Sequence, residues 1–317
     1  MSYLVTGAAG FIGSHLVETL LNQGKNVVGI DNFSGSAKEN LAFLDTHPNK
    51  RFFRFEEGDI RDANFCKKIC EGVYFILHQA ALGSVPRSLE LPELYHENNV
   101  TGTLNMLMAA KDAGVKRFVF AASSSVYGDT LVLPKIESMI PNPKSPYAAS
   151  KVACEYYCSV FTHAFGLPTI ILRYFNVFGP RQNPHSQYAA VIPKFVTAFL
   201  HGQSPVIFGS GEQTRDFTYI KNVVHANLEA CRSDSVVFGQ PVNIGCGYRI
   251  SLNTLAKNIQ QLVGSAQNPV YESPRAGDVQ DSLADIGLAE AYGLLRNPVL
   301  LEEGLKETVT WYQESIV

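Results

Sequence analysis

Short, mostly apolar runs alternate with longer segments of helical periodicity through the first half of the chain. The runs lie at 3–6, 27–30, 52–55, 74–77, 117–121 and 169–173. The helical patterns cover 11–21, 99–112 and 147–165. Repeated alternation of apolar strands with helices predicts an α/β fold with a parallel, doubly wound sheet, because helices cover both faces of such a sheet.

The pattern loosens from Asn176 onward. Prolines and glycines become frequent, with Pro180, Pro184, Pro193 and Pro205 among them, which predicts a smaller, loop-rich α/β lobe. We expect the sheet domain at 1–175, with a return segment near 217–245, and the smaller lobe mainly at 176–317. The chain has no internal repeat and no low-complexity linker, so the two lobes are expected to pack as one body.

The charge of the chain is modest and nearly balanced. Charged residues are 17% of the 317 residues, and the formal net charge is −3. This balance gives no general attraction to nucleic acid or to an anionic membrane, so local groups have to hold any bound anion. No basic segment followed by an apolar stretch opens the chain, and no run approaches the ~18 apolar residues of a membrane span. We therefore expect a soluble, cytoplasmic protein.

The six cysteines form no C-x-x-C pair. Cys66 with Cys70, and Cys154 with Cys158, are each four residues apart, a spacing at which two thiols can share a metal. No histidine or acidic ligand set accompanies them, and buried helical thiols are the commoner explanation of this spacing. We predict reduced, buried thiols and no metal.

A glycine-rich turn follows the first strand. The segment at 7–13 has the spacing G-x-x-G-x-x-G, with Gly7, Gly10 and Gly13 as its glycines and Phe11 and Ile12 opening the helix. Glycines at these places permit a tight turn, close approach of the backbone to a pyrophosphate, and close packing of the helix on the strand. The helix N-terminus then offers free N–H groups to phosphates. The pattern predicts a dinucleotide-binding Rossmann domain.

Acidic and small residues follow the next three strands. Asp31 and Asn32 end the second strand, where a carboxylate binds the adenosine ribose hydroxyls and repels a 2′-phosphate, which favours NAD over NADP. Asp59 and Ile60 follow the third strand and are placed to meet the adenine. After the fourth strand, the segment at 78–81 contributes Gln79, Ala80 and Ala81 where the cofactor backbone would lie.

Tyr147 and Lys151 stand four residues apart within 145–151. In a helix this spacing places both side chains on one face. A nearby cation favours phenolate, so a tyrosine that titrates near ~10 when free can act as a base closer to neutrality. The pair alone is a weak signal, because such spacing is common on helix surfaces. Its position after the nucleotide-binding segments makes it the candidate catalytic pair.

A serine run ends the fifth strand at 123–128, on the sheet edge where open α/β proteins bind ligands. Ser123 is placed to hydrogen-bond a substrate hydroxyl and to relay its proton to Tyr147. Serine runs are often only loops, and the catalytic interpretation depends on the surrounding motifs.

These residues together resemble the extended short-chain dehydrogenase/reductase family of nucleotide-sugar enzymes, over the whole chain. The resemblance rests on the glycine turn, the serine run, Tyr147 with Lys151, and the segments 173–176 and 215–217. Within that family the chain is most similar to UDP-hexose 4-epimerases, and in particular to bacterial UDP-N-acetylglucosamine 4-epimerases. The segments 80–88, 189–193 and 281–286 carry this closer similarity.

The resemblance implies a mechanism. Tyr147, as phenolate, would take the proton of the sugar 4-hydroxyl with help from Ser123, while C4 passes hydride to tightly bound NAD. The 4-keto sugar would then turn over and receive hydride on its other face. Lys151 would bind the nicotinamide ribose and hold the pKa of Tyr147 down. The further cofactor contacts that the resemblance implies are Ser34, Gly35, Asn98, Tyr174 and Phe175.

The resemblance also implies a clamp for the nucleotide sugar. Arg215 and Arg275 would neutralise the diphosphate, as planar and always charged guanidinium groups do well. Asp278 would bind the uridine ribose, and Phe208 would lie against the uracil. The remaining substrate contacts implied are Gly83, Ser84, Ser124, Ser125, Asn176, Ala190, Val191 and Ser282.

Pocket size indicates the sugar. By resemblance, Ser282 lies beside the C2 substituent, where a bulky aromatic residue excludes an N-acetyl group. With Gly83, Ser84 and Ala190 also small, we favour UDP-GlcNAc/UDP-GalNAc as substrates, with UDP-glucose/UDP-galactose tolerated. Arg87 keeps a UDP-uronate 4-epimerase (glucuronate or its N-acetylated form) open as the alternative.

Three other functions are less favoured. A dehydratase of this family usually has an acidic pair where Ser124 and Ser125 stand, and a decarboxylase usually has a glutamate in this run. A non-catalytic NAD-sensing module has no use for the Ser123–Tyr147–Lys151 relay. By resemblance, the helices at 99–112 and 147–165 would form a homodimer through a helix bundle, and the enzyme would serve polysaccharide synthesis.

Overall fold

The structure is a computed structural model that describes residues 1–184, 190–274 and 279–316. In chain order, its strands are β1 (Ser2–Thr6), β2 (Asn26–Asp31), β3 (Phe53–Glu57), β4 (Phe75–His78), β5 (Arg117–Ser123), β6 (Thr169–Tyr174), β7 (Val177–Phe178), β8 (Val206–Phe208), β9 (Thr214–Arg215), β10 (Thr218–Tyr219), β11 (Pro241–Ile244), β12 (Ile250–Ser251) and β13 (Val270–Glu272). The strands expected from the apolar runs are all present, with ends shifted by one or two residues.

The described helices follow in the same order. They are α1 (Phe11–Asn22), α2 (Ala63–Cys70), α3 (Val85–Glu90), α4 (Pro92–Tyr95), α5 (Gly102–Asp112), α6 (Pro146–Phe165), α7 (Val191–Leu200), α8 (Ile220–Ala230), α9 (Leu252–Val263), α10 (Gly287–Ala291) and α11 (Leu301–Ile316). Short 3₁₀ helices cover Lys38–Asp45, Lys50–Phe52 and Ser124–Tyr127, and a π-helical turn covers His96–Thr101. The helix expected at 99–112 therefore begins in a π-helical turn, a local feature often found at functional sites.

Seven of the described strands form one parallel sheet in the order β11-β6-β5-β4-β1-β2-β3. The predicted doubly wound sheet is confirmed. The strand order reverses beside β1, so the crevice at the carboxyl ends of β1 and β4 is the expected ligand site of such a sheet. β11 lies at the end of the predicted return segment (217–245) and pairs with β6. The division of the chain into two domains stays a prediction.

Successive residues of β1 point into two separate cores. Tyr3 and Val5 pack in one core with α1, α7 and α8, whereas Leu4 packs in the other with α2, α5 and α6. Alternation across a strand places neighbouring side chains on opposite faces, so a strand covered on both sides is apolar throughout. This arrangement explains why the first strands appear in the sequence as continuous apolar runs.

The helical cysteines belong to the second core. Cys66, Cys70, Cys154 and Cys158 are buried free thiols, in α2 and α6. The Sγ of Cys154 donates to the carbonyl of Asn99 at 3.1 Å. The interpretation as buried helical thiols is confirmed. Among the described residues, no helix is long and apolar enough to cross a membrane.

Helix α6, which carries the candidate catalytic pair, has clear start and stop signals. The Ser145 hydroxyl caps its first turn by accepting the N–H of Ala148 at 3.1 Å, and Pro146 occupies the first turn, where no amide donor is needed. Gly166 ends the helix in the left-handed conformation at φ 71°. These local signals fix the position of Tyr147 in the first turn of the helix.

Candidate active site

The glycine turn after β1 is as tightly packed as the sequence predicted. Gly7 has φ +68°, and a Cβ there would lie 2.9 Å from the backbone nitrogen of Ala80. A Cβ on Gly13 would lie 2.0 Å from the carbonyl oxygen of Gly7. Gly10 precedes α1 without a side-chain cap, so the first N–H groups of the helix are available to an anionic ligand.

We expect Gly13→Ala to prevent stable binding of the dinucleotide. The new methyl group would collide with the Gly7 carbonyl and push α1 away from the turn, since backbone cannot yield as a side chain can. The measurement is the amount of dinucleotide released from the purified protein on denaturation. Ser14→Ala, one residue further along α1, is the control and should keep the wild-type amount. Wild-type occupancy in Gly13→Ala would contradict this role of the turn.

A narrow cleft opens above this turn at the carboxyl ends of β1, β2 and β4. Eleven predicted cofactor contacts line it: Gly7, Gly10, Asp31, Asn32, Ser34, Gly35, Ile60, Gln79, Ala80, Ala81 and Asn98. Ile30, Ser36, Gly58 and Leu82 complete the lining and were not predicted. Ile30 belongs to β2 and directly precedes Asp31, whereas the other three lie in loops, where no sequence pattern distinguishes them.

Asp31 holds the two sides of the cleft together. Its carboxylate accepts the N–H of Ala9 at 3.0 Å, the N–H of Phe33 at 2.9 Å and the hydroxyl of Ser36 at 2.6 Å. Asp59 does not line the cleft. It accepts from Asn32 at 2.9 Å and pairs with Arg61 at 2.7 Å, and the hydrogen bonds from Arg61 lower the pKa of Asp59 to about 2. Asp59 therefore acts here by orienting Asn32.

His78 is a buried residue beneath the cleft and supports its walls through hydrogen bonds. Its ring nitrogens lie 2.8 Å from the Thr6 hydroxyl and 3.0 Å from the Thr103 hydroxyl. Burial lowers the pKa of His78 to about 3, so the ring is neutral at physiological pH. The Thr6 hydroxyl also accepts the N–H of Ala80 at 3.0 Å. These bonds set the distance between the Gly7 turn and the Ala80 backbone.

A larger cavity of about 610 Å³ lies beside the cleft, between the carboxyl ends of β5 and β6 and the segments at 190–217 and 279–282. Eleven predicted substrate contacts line it: Gly83, Ser123, Ser124, Ser125, Tyr147, Asn176, Ala190, Val191, Phe208, Arg215 and Ser282. Ile12 and Tyr174, which were predicted as cofactor contacts, also line this cavity. Residues far apart in the sequence thus meet at one place, as the resemblance implied.

Tyr147 and Lys151 lie on the same face of α6. The Lys151 ammonium is 5.9 Å from the centre of the Tyr147 ring and donates to the carbonyl of Ala121 at 2.8 Å. Ser123 ends β5, and its hydroxyl accepts the N–H of Ser125 at 3.2 Å. A side-chain hydrogen bond also joins Ser123 to Tyr147. The structure therefore brings the predicted relay together.

Burial dominates the pKa of Tyr147 in the protein chain, and the predicted effect of Lys151 on it stays a prediction. Burial raises the pKa of Tyr147 above its usual value, and only the hydrogen bond with Ser123 opposes this rise. Burial also lowers the pKa of Lys151, to about 8. Desolvation of the phenolate outweighs an ammonium group almost 6 Å from the ring. Spacing along a helix could not predict this burial.

The ammonium of Lys151 forms no ion pair with the nearest acidic residue of its own helix. Glu155, one turn further on, is bound through both carboxylate oxygens by Arg173 at 2.9 and 2.7 Å. This ion pair is buried, and bidentate geometry suits the planar guanidinium. Arg173, predicted only as part of a motif, thus occupies Glu155, while Lys151 itself is not among the described residues that line either cavity.

Asn99 is a positioning residue that the sequence reasoning missed. Its side-chain amide donates to the Leu82 carbonyl at 3.1 Å and to the Ser150 hydroxyl at 3.0 Å, and its oxygen accepts the Leu82 N–H at 2.8 Å. Ser150 in turn donates to the carbonyl of Tyr147 at 2.7 Å. The network joins the wall of the cofactor cleft to the first turn of α6.

Asp216 organises the second lobe next to Arg215. Its carboxylate accepts three backbone N–H groups, from Cys246 at 2.9 Å and from Gly247 and Ala284 at 3.1 Å. Burial nevertheless raises the pKa of Asp216 to about 6. Asn176, at φ +31°, donates to the Asp216 carbonyl at 2.8 Å. These contacts hold Arg215 and the segment around Ser282 on the cavity wall.

The structure places other predicted residues away from both cavities. Ser84 caps α3 by accepting the Arg87 N–H at 3.2 Å, and Arg87 itself is not among the described residues that line the cavity. Phe175 is fully buried beside Tyr127. Phe11 packs against the first core, and Gly13 lies under the glycine turn. Arg275 and Asp278 lie outside the described residues.

Comparison with known proteins decides the family. The model of the NAD dependent epimerase/dehydratase family matches residues 3–245. A UDP-glucose 4-epimerase of Mycolicibacterium smegmatis is 39% identical over 315 residues, which are 99% of each chain. This chain belongs to the NAD-dependent epimerase/dehydratase family.

Solved structures of relatives agree over nearly the full length. A UDP-N-acetylglucosamine 4-epimerase from Methanobrevibacter ruminantium, in complex with UDP-N-acetylmuramic acid, has a TM-score of 0.92 and 40% identity and covers 99% of this chain and 98% of its own. A UDP-glucuronic acid 4-epimerase from Bacillus cereus, in complex with UDP-glucuronic acid and NAD, has a TM-score of 0.90 and 31% identity and covers 99% of this chain and 100% of its own.

NAD is the cofactor of this family member. The described residues fit it, because the glycine turn leaves no room for a Cβ at Gly7 or Gly13, as close approach of a pyrophosphate requires. Asp31 and Asn32 supply polar groups in the cleft where a ribose would lie. The predicted choice of cofactor is confirmed.

Proposed function

We propose that this chain is an NAD-dependent UDP-sugar 4-epimerase that prefers UDP-GlcNAc/UDP-GalNAc and tolerates UDP-glucose/UDP-galactose. The proposal rests on one observation above the others: a single cavity is lined by Ser123, Tyr147, Arg215 and Ser282 and lies directly beside the NAD cleft. The 4-epimerase activity of relatives that align over nearly the whole chain supports the reaction type.

The residues of the chain supply binding and proton transfer. Tyr147 removes the proton of the sugar 4-hydroxyl and later returns it, and Ser123 donates a hydrogen bond that stabilises the phenolate. NAD, when bound, supplies the reversible hydride acceptor and, in its oxidised form, a positive charge. Burial raises the pKa of Tyr147 and Ser123 opposes that rise, while Lys151 places its ammonium 5.9 Å from the centre of the Tyr147 ring.

Arg215 is the described cation placed to neutralise the diphosphate. It lies on β9 in the cavity wall and donates to the carbonyls of Thr214 at 2.9 Å and Gln280 at 3.2 Å. These backbone contacts orient the guanidinium in the cavity wall. Phe208, on β8 in the same wall, offers an apolar face to the uracil ring. We propose Arg275 and Asp278 as the remaining contacts of the clamp.

Small side chains support the N-acetylated sugar. Gly83, Ala190 and Ser282 line the cavity, and none of them fills the space that an acetamido group needs. Serines, rather than acids, stand at 124 and 125 on the same wall, which argues against a dehydratase or a decarboxylase. A UDP-uronate 4-epimerase is the second candidate, favoured by the similarity to the Bacillus cereus enzyme.

We also propose a cytoplasmic homodimer that serves polysaccharide synthesis. Large apolar side chains on α5 and α6 are exposed in the single chain, namely Met108, Tyr156, Tyr157, Val160 and Phe165. Exposed apolar residues grouped on two adjacent helices are typical of an association surface.

The experiment that tests the proposed function is direct. Purified protein without added cofactor is incubated separately with UDP-GlcNAc, UDP-glucose and UDP-glucuronate, and the products are resolved by their configuration at C4. We expect fastest interconversion with UDP-GlcNAc. Loss of water, loss of CO₂ or preference for the uronate would overturn the proposal in its present form.

A further inference from the structure

A buried lysine in the cavity wall has no role in the relay or in the clamp. Lys135 is 2% exposed and lines the same cavity as Tyr147 and Ser282. Its ammonium donates to the carbonyl of Thr130, which is its one hydrogen-bond acceptor within 1–184, 190–274 and 279–316. An ammonium carries three donors. Two donors of a buried cation are therefore left for a ligand.

The carboxylates near Lys135 are bound to other groups. Asp281 accepts from the Thr214 hydroxyl and lies 3.4 Å from a guanidinium nitrogen of Arg249. Asp129 pairs with the exposed ammonium of Lys144 at 3.2 Å. Burial lowers the pKa of Lys135 despite both acids. A cation buried without a carboxylate partner is costly to folding and is usually retained for function.

The backbone of Lys135 fixes its side chain next to the segment that carries Ser282. Its N–H donates to the Leu283 carbonyl at 2.8 Å, and its carbonyl accepts the Asp285 N–H at 2.9 Å. The Asn243 side chain also donates to the same carbonyl, at 2.9 Å. Lys135, which lines the cavity, thus lies beside the segment that follows the cavity-lining Ser282.

A second polar group in this cavity also lacks a partner. The Ser125 hydroxyl is buried and makes no hydrogen bond within the described part of the chain, and Ser125 lines the cavity. A buried hydroxyl without a partner is destabilising, so an unpaired one in a ligand cavity points to a ligand atom.

We propose that Lys135 is a further specificity-determining residue, whose ammonium binds an acceptor oxygen of the sugar together with the Ser125 hydroxyl. For an N-acetylated hexose this acceptor is the acetamido carbonyl oxygen. A carboxylate of a uronate offers the same chemistry. The inference rests on the proposed function, because it requires a nucleotide sugar in this cavity.

The substitution Lys135→Met tests this proposal, because methionine keeps the unbranched apolar stem of lysine and removes its charge and its hydrogen-bond donors. We expect the KM for UDP-GlcNAc to rise about tenfold, as loss of one charge-assisted hydrogen bond predicts. Affinity for UDP alone, measured by calorimetry, should stay within about twofold. The midpoint of thermal unfolding should not fall, because a buried unpaired cation has been removed.

Two further variants make the test specific. Lys116→Met, the same chemical change at an exposed position just before β5, should leave the KM unchanged, whereas Ser125→Ala should raise it. A larger effect on UDP-GlcNAc than on UDP-glucose supports the acetamido oxygen as the acceptor, and a larger effect on UDP-glucuronate supports the carboxylate. Equal loss for UDP alone, a lowered unfolding midpoint, or no change in KM would each overturn the proposal.

Failure of this proposal is distinguishable from failure of the proposed function. If the wild-type protein epimerises none of the three sugars, the proposed function fails. Calorimetry can still compare the affinity of the UDP-sugars for the wild-type protein with their affinity for Lys135→Met, because binding needs no turnover. Equal affinities in that comparison would overturn the role of Lys135.

Discussion

Tyr147→Phe is expected to lower kcat by a factor of about 100 to 10,000, the usual contribution of a positioned acid–base group. The change removes one hydroxyl and keeps the ring, which packs edge-on to Tyr95 at 6.4 Å. KM and the amount of bound NAD should change little, since the aromatic ring remains in place. Initial rates and the NAD released on denaturation check both expectations.

Tyr74→Phe is the matched control for this variant. Tyr74 is 37% exposed and precedes β4 at the amino end of the sheet, so losing its hydroxyl should leave kcat unchanged. If Tyr147→Phe turned over as fast as the wild type, Tyr147 would not be the base and the relay would have to be reassigned.

Ser282→Tyr is expected to lower kcat/KM for UDP-GlcNAc by about 100-fold, while UDP-glucose stays within about fivefold of the wild-type value. Ser282 lines the cavity, and its N–H is held by the Thr214 carbonyl at 3.1 Å. The backbone therefore cannot retreat, and the new ring fills the space proposed for the acetamido group. The measurement is the ratio of the two kcat/KM values.

Ser315→Tyr makes the same chemical change at an exposed position on α11 and should leave that ratio unchanged. An equal loss for both substrates in Ser282→Tyr would contradict the proposed place of the C2 substituent. An equal loss would instead indicate that the new ring blocks the cavity for both substrates.

Much of the fold could be predicted from the sequence because its signals are local. The apolar runs that became β1 to β6 and the caps of α6 at Ser145 and Gly166 depend on neighbours along the chain. The glycine turn is also a local signal, because the steric limits at Gly7 and Gly13 require glycine at both positions. These features are sufficient to predict the NAD cleft and to single out Tyr147 and Lys151 as the candidate pair.

The rest depends on contacts between distant segments. Lys135 lies in a loop without periodicity, and only its pairing with 283–285 brings it to the cavity. Asn99 and Ser150 meet across 51 positions of sequence. The pKa of Tyr147 rises because of burial that spacing on a helix does not reveal. Ser84 was assigned to the substrate, whereas it caps α3.

The most direct test of the account follows the hydrogen at C4. UDP-GlcNAc that carries deuterium at C4 is incubated with the purified protein in ordinary water, without added NAD, and the UDP-GalNAc formed is analysed by mass spectrometry and NMR. We predict that the product keeps the deuterium at C4, because hydride leaves and returns within one closed site. Loss of the label to water, or absence of the 4-epimer, would contradict the account.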